Sequence, residues 1–266
     1  MKKLLMMTTC IVNPENIRDL MRMVDSYDNS QATYSHVVLI QTDYSGYEKE
    51  IEYIKQKADV IYTETMVSLS RARNIIYEYA HEQGLLDEAE IIAFPDDDCW
   101  YPGKNLDNIY AMFEQDNQLD LFVCLSSESP SELDESMTPQ PITVKELINT
   151  ATSNTIFVRK CALDKKEFFD EKLGIGSVNN GGEDVDFAMR CFVKSRKSLY
   201  LRTAIVWHQE ENMGDKPRYF QGGFKALKKN ALKHPMFAVF CFRKFLVGVY
   251  YMMKYGMSPK MFFSAS

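Results

Sequence analysis

The chain has 266 residues, 45% of them hydrophobic and 26% charged, with a formal net charge of −6. This is an ordinary soluble globular composition, with room for one large domain or one domain with an extension. The six cysteines are scattered and form no CxxC pair, which argues against a disulfide framework or a zinc site and fits a reducing cytosol.

Charge is spread unevenly. From Lys216 to the end there are ten Lys and Arg and no Asp or Glu, so this tail is suited to an anionic partner. The opening Met1-Lys2-Lys3 with Leu4 to Met7 resembles a signal peptide superficially. Its apolar stretch is too short, and Thr8, Thr9 and Asn13-Pro14 interrupt it, so it reads as a first strand.

Strand and helix patterns then alternate. Leu4–Cys10 reads as a strand, and Asn13-Pro14 starts a helix carrying Ile17, Leu20, Met21 and Val24 at helical spacing. His36–Gln41 is a buried strand, Tyr47–Lys57 a helix and Asp59–Tyr62 a short strand. Ser70 is placed to cap a helix that runs through Ile75, Ile76 and Tyr79 to Gly84. Strand Ile91–Phe94, helix Leu106–Gln115 and strand Leu119–Leu125 follow. This order predicts a mostly parallel sheet with helices on both faces.

The second half is less regular. Residues 126–140 form a polar, Pro-containing loop, followed by strand Thr155–Val158, helix Glu183–Lys194 and strand Leu199–Trp207. In the tail, Lys225, Lys228, Lys229 and Lys233 precede an aromatic, apolar stretch broken by Arg243, Lys244 and Lys254. It has no uncharged run of the ~20 residues needed to span a bilayer. A membrane-interface segment over residues 225–260 is the first expectation. A helix pair packed on the domain or on a second subunit is the alternative.

Four short elements carry chemistry. The first is Phe94-Pro95-Asp96-Asp97-Asp98-Cys99-Trp100-Tyr101-Pro102, where an apolar strand ends in three carboxylates. An isolated triplet of this kind is usually a solvated turn or cap. At a strand's carboxyl end it suits a hard cation such as Mg²⁺ or Mn²⁺. The second is Ser70-Arg71-Ala72-Arg73-Asn74. Arg in a first helical turn opposes the macrodipole unless an anion docks there. The third is the glycine-rich run around Gly174 and Gly176, leading through Gly181-Gly182 to Glu183-Asp184-Val185-Asp186. Acids in a first turn serve as caps, but beside glycines one of them can also act as a general base toward a substrate hydroxyl. The fourth is His208, which follows Trp207 at the end of an apolar strand.

Together these elements resemble the family 2-type glycosyltransferases with the GT-A fold. The resemblance rests on Ser70 to Asn74, on Phe94 to Pro102, and on Phe169-Asp170-Glu171-Lys172-Leu173-Gly174 with Gly182 to Phe187 and Arg190. It spans roughly residues 4–210. It implies a Rossmann-like, mostly parallel α/β sheet flanked by helices. A GT-A domain would cover 1–215, with a nucleotide-sugar half (1–125) and an acceptor half (126–215), and residues 216–266 would form a basic helical extension.

The resemblance also implies roles. Thr8, Asp43, Arg71, Arg73, Asp96 and Asp97 would contact the nucleotide sugar, and Asp98 with His208 would hold Mn²⁺ or Mg²⁺. Asp184 would be the catalytic base, with Glu183 helping to hold the acceptor. Gly174, Gly176, Gly182 and Trp207 would line the acceptor side. The first strand departs from the family, reading Met6-Met7-Thr8-Thr9-Cys10 where a Pro-Thr-Tyr-Asn-like turn is usual.

The implied reaction is an inverting transfer from a nucleotide-diphosphate sugar, UDP-linked, to a hydroxyl of a glycan or lipid-linked acceptor in polysaccharide biosynthesis. It would take place in the cytoplasm or at the inner face of the cell membrane. No nucleic-acid partner is expected, and an oligomer is compatible with the sequence. Two alternatives keep the fold: a metal-dependent nucleotidyltransferase, and a catalytically silent protein that binds nucleotide sugar or glycan.

Overall fold

The computed structural model describes residues 3–27, 30, 32–163, 168–209, 219–256 and 258–262. The first strand, β1 (Lys3–Ile11), is buried on both faces along most of its length. Alternation sends Leu4 and Met6 into one apolar cluster and Leu5 and Met7 into another, as expected for a central strand with helices on either side. Helix α1 (Pro14–Ser26) starts as its sequence predicts. Asn13 accepts hydrogen bonds from the Glu15 and Asn16 backbone N–H groups, and Pro14 occupies the first turn.

Strand β2 (Tyr34–Gln41), helix α2 (Glu48–Lys55) and strand β3 (Asp59–Thr63) extend the sheet on one side. Helix α3 (Leu69–Glu82), a single helical turn α4 (Leu85–Glu88) and strand β4 (Ala89–Ala93) return to its centre. Next come α5 (Asn105–Gln115), β5 (Leu119–Ser127), the two-residue β6 (Gln140–Pro141), α6 (Val144–Thr150) and β7 (Ile156–Arg159). Helix α7 (Glu183–Lys194), β8 (Lys197–Trp207), α8 (Phe220–Asn230) and α9 (Pro235–Tyr255) complete the order.

The sheet runs β3-β2-β1-β4-β7-β5-β8-β6. β7 pairs antiparallel with both β4 and β5, and β6 pairs antiparallel with β8; the other pairings are parallel. The carboxyl ends of β1, β2, β4, β5 and β8 therefore open on one edge, where the reversed β7 begins. Open α/β sheets bind ligands at this edge.

Two local expectations are corrected. Ser68, not Ser70, caps α3, accepting from the Arg71 backbone N–H. Ser70 is buried, and its hydroxyl donates to the Leu173 carbonyl at 2.7 Å. The expected domain boundary at residue 215 lies outside the described residues.

Helix α8 packs on α7 through facing glycines. A Cβ on Gly222 would stand 2.0 Å from the Gly181 carbonyl oxygen, and one on Gly182 would stand 2.4 Å from the Gly222 backbone. A buried polar cluster joins the same two helices. The Arg190 guanidinium donates to Asp186 at 2.8 Å, and the Asn230 amide donates to the other Asp186 oxygen at 2.7 Å. Because backbone, not a flexible side chain, opposes the added methyl, Gly222→Ala should lower unfolding stability by about 2 kcal/mol in urea titrations.

Candidate active site

A cleft of ≈ 670 Å³ lies along the carboxyl edge of the sheet. Thr9 and Ile11 line it from the end of β1, Gln41 from β2, Asp96, Asp97 and Asp98 from the loop after β4, and His208 from the end of β8. Ser153 enters from the turn before β7, and Glu183 and Asp184 from the N-terminus of α7. Pro95 fixes the turn that lifts the three aspartates above the sheet; its carbonyl accepts from the buried Thr8 hydroxyl at 2.8 Å.

Arg73 sits at the centre. It projects from the second turn of α3 and is buried, with its guanidinium 5.0 Å from the Phe169 ring. One nitrogen donates to Asp184 Oδ1 at 2.8 Å and another to Asp96 Oδ1 at 3.5 Å. Burial alone would lower its pKa, but the charges of Asp184, Asp96 and Glu183 hold it above the ordinary value. The second Asp184 oxygen accepts from the Ser153 backbone N–H at 2.9 Å, and the Ser153 hydroxyl donates to Asp96 at 3.3 Å. Arg73 and Ser153 thus bridge the acidic loop and the acidic helix start.

The carboxylates are crowded and partly buried. Burial, reinforced by Asp184 and Asp98, pushes Asp96 up to about 6 against the opposing pull of Arg73 and His208. Burial raises Asp97 to about 7. Burial and then the neighbouring Asp184 raise Glu183 to about 7. Such shifts are what a site built to receive a cation or a proton displays.

His208 Nε2 lies 3.4 Å from Asp98 and 3.9 Å from Asp96. Among the described residues, no group of three or more His, Cys, Asp or Glu side chains is placed to hold a metal ion. The Asp98–His208 pair offers one oxygen and one nitrogen donor, so a divalent cation there would take most of its shell from substrate phosphates and water, as Mg²⁺ commonly does.

Six residues expected at the site do not line the cleft. Thr8 is fully buried and bonded to Pro95 and His36, because strand alternation turns Thr9 outward instead. Asp43 is exposed and folded back on Ser45, whose hydroxyl and backbone N–H hold its carboxyl below the usual range. Arg71 pairs with Glu78 and Glu171 at 3.1 and 3.2 Å. Gly174 lies against Ser70, and Gly182 against α8. Trp207 stacks on Trp100 with ring centroids 3.7 Å apart, capped by the Arg22 guanidinium 3.6 Å above Trp100. Gly176 does reach the cleft, with a φ of +81° that favours glycine.

Sequence reasoning missed Gln41, Ser153 and Thr9. The pairing Trp100–Trp207, an isolated antiparallel bridge, fixes Asp98 and His208 near each other through their chain neighbours. Nothing in the spacing of two single tryptophans announces that contact.

No family model matches the chain, and no curated protein matches it in sequence. Solved structures do. The crystal structure of S. aureus TarS 1-349 in complex with UDP-GlcNAc superposes with a TM-score of 0.65 at 17% identity, covering 88% of this chain and 66% of that one. TarS 1-349 with UDP gives 0.63 at 17% identity over 88% and 65%. A further S. aureus TarS crystal structure gives 0.63 at 17% identity, with 39% of that chain covered. The chain thus spans less than two thirds of these proteins. The likeness establishes the fold: the GT-A-type mixed α/β architecture expected from the sequence, with its eight-stranded sheet.

The raised Glu183 pKa has a measurable consequence. A carboxyl whose folded pKa exceeds its unfolded one stabilises the fold in its protonated form, and that contribution is lost as pH rises through about 7. In the ligand-free protein, Glu183→Gln should therefore gain on the order of 2 kcal/mol at pH 8. The gain should vanish toward pH 4.5 in parallel denaturation curves.

Proposed function

We propose that the protein is an inverting glycosyltransferase that moves a sugar from a UDP-linked donor to a hydroxyl of a glycan or lipid-linked acceptor. The observation that carries this reading is the bridging of Asp96 and Asp184 by Arg73 across one cleft at the sheet's carboxyl edge. That arrangement sets a wall for a diphosphate and cation directly beside a carboxylate able to take a proton. The structural neighbours crystallised with UDP and UDP-GlcNAc support the choice of donor.

In this mechanism the nucleotide lies over the ends of β1 and β2, where Thr9, Ile11, Asn16 and Gln41 line the cleft. Asp98 and His208 would hold Mn²⁺ or Mg²⁺. When bound, the cation supplies positive charge where the leaving diphosphate becomes more negative. Asp184 is the base, its carboxylate oriented by Arg73 and the Ser153 N–H. It accepts the proton of the acceptor hydroxyl as that oxygen attacks the anomeric carbon from the face opposite the diphosphate. The bond from the anomeric carbon to the diphosphate oxygen breaks, and its electron pair leaves with the nucleotide. Glu183 sits beside the base, mostly buried, and holds the acceptor side of the cleft.

Asp184→Asn should lower kcat by about 10²–10⁴-fold, the range for loss of a general base, while UDP binds with nearly unchanged affinity. Transfer at the normal rate by this variant would refute the base assignment. Asp98→Ala should weaken Mn²⁺-dependent UDP binding by at least about tenfold in calorimetric titrations. Unchanged Mn²⁺ dependence would refute the cation assignment.

A further inference from the structure

Helix α9 is 21 residues long and, by length and composition alone, apolar enough to cross a membrane, yet little of it is buried. Its inner face is fixed to the body. Phe237 and Gly248 are buried, and a Cβ on Gly248 would stand 2.4 Å from the Phe262 ring and 2.6 Å from that of Phe220. Its outer face is an apolar ridge of Val239, Phe242, Leu246, Tyr250 and Met253, exposed by 56, 63, 51, 49 and 84%. The three- and four-residue spacing puts these side chains on one side of the helix.

Basic residues flank the ridge. Arg243 is exposed beside it, and the Lys254 ammonium lies 5.3 Å above the Tyr250 ring. Lys244 faces a groove of ≈ 380 Å³ between α9 and the α6–α7 side, lined by apolar residues such as Val185, Leu227, Phe240 and Val247 and by no Asp or Glu. Burial lowers the Lys244 pKa, and its contact is the Phe220 ring at 5.4 Å. Neither α8 nor α9 contains an acidic residue.

This pattern selects among occupants. A spanning helix would bury Arg243 and Lys244 near the bilayer centre, which is costly. An isologous pair of α9 helices would bring the Arg243 and Lys254 cations of one copy against those of the other. An anionic lipid surface meets both features at once, with acyl chains for the ridge and phosphates for the cations.

We propose that α9 docks flat on an anionic phospholipid surface, with Val239, Phe242, Leu246, Tyr250 and Met253 inserted at the acyl boundary. Arg243 and Lys254, which flank the ridge, lie at headgroup phosphates, while Lys244 stays on the side of the helix that faces the body. Helix α9 packs on α8, and α8 packs on α7, so the docked helix is two contacts away from Glu183 and Asp184. Docking therefore favours an acceptor borne on a lipid. That last step rests on the proposed transferase reading; the docking itself does not.

Sedimentation of the full chain with lipid vesicles tests this without donor or acceptor. Vesicles containing phosphatidylglycerol should capture the protein at least about tenfold more tightly than pure phosphatidylcholine, and added salt should weaken the capture. The double variant Leu246→Glu, Met253→Glu alters only exposed side chains. It should keep its thermal transition and lose at least about tenfold in vesicle affinity. Equal capture by both vesicle types, or by the double variant, overturns the proposal. So does a stable oligomer in sedimentation velocity that the double variant dissolves, since a second copy would then cover the ridge.

Discussion

The buried guanidinium of Arg73 is the interaction on which the site depends. Asp96, Glu183 and Asp184 arrive from two different elements and would repel one another in the absence of a cation between them. Arg73 reaches both groups from α3, with ion pairs at 2.8 and 3.5 Å and almost no exposure to water. Removing one partner of a buried ion pair typically costs about 3–5 kcal/mol, because the remaining charge loses its compensation. Here more than one carboxylate would be left. Burial, reinforced by the neighbouring carboxylates, raises the pKa values of Asp96, Asp97 and Glu183.

Backbone packing places that charge. The acidic end of α7 follows glycines so close to α8 that no side chain fits between them. Asp186 anchors the same helix from within through Arg190 and Asn230. The carboxylates at the start of α7 are thus held by rigid elements on two sides, while Ser153 and Arg73 orient Asp184 from the cleft side. The same α7–α8 contact continues to α9, so the proposed docking helix and the proposed base share one packed unit.

Much of this was legible in the sequence, for physical reasons. The central strands are apolar runs with helical patterns between them, and those periods are strong signals. Asp96 to Asp98, Arg73, Glu183, Asp184 and His208 were marked by charged or titratable side chains at strand and helix ends. They do meet in one cleft. Other assignments failed where a single residue of register decides direction. Thr8 and Thr9 are adjacent, and the pleat sends them to opposite faces. Arg71 and Arg73 sit two residues apart on a helix, which rotates one toward the cleft and the other toward Glu78 and Glu171. Asp43 satisfied itself locally through a turn with Ser45. The reversed β7 carries Ser153 into the site through non-local pairing with β4 and β5, which no local pattern encodes.

The central claim is that Asp98 and His208 hold a cation beside a bound diphosphate while Asp184 faces the sugar side of the same cleft. A crystal structure with UDP and Mn²⁺, with anomalous scattering collected at the manganese edge, tests it most directly. The account predicts one anomalous peak roughly 2.2 Å from an Asp98 oxygen and His208 Nε2, a typical distance for a divalent cation and its ligands. It also predicts that the diphosphate contacts that ion and that the nucleoside lies over Thr9 and Gln41. A diphosphate bound away from the β4 loop, or a manganese peak remote from Asp98, would contradict it.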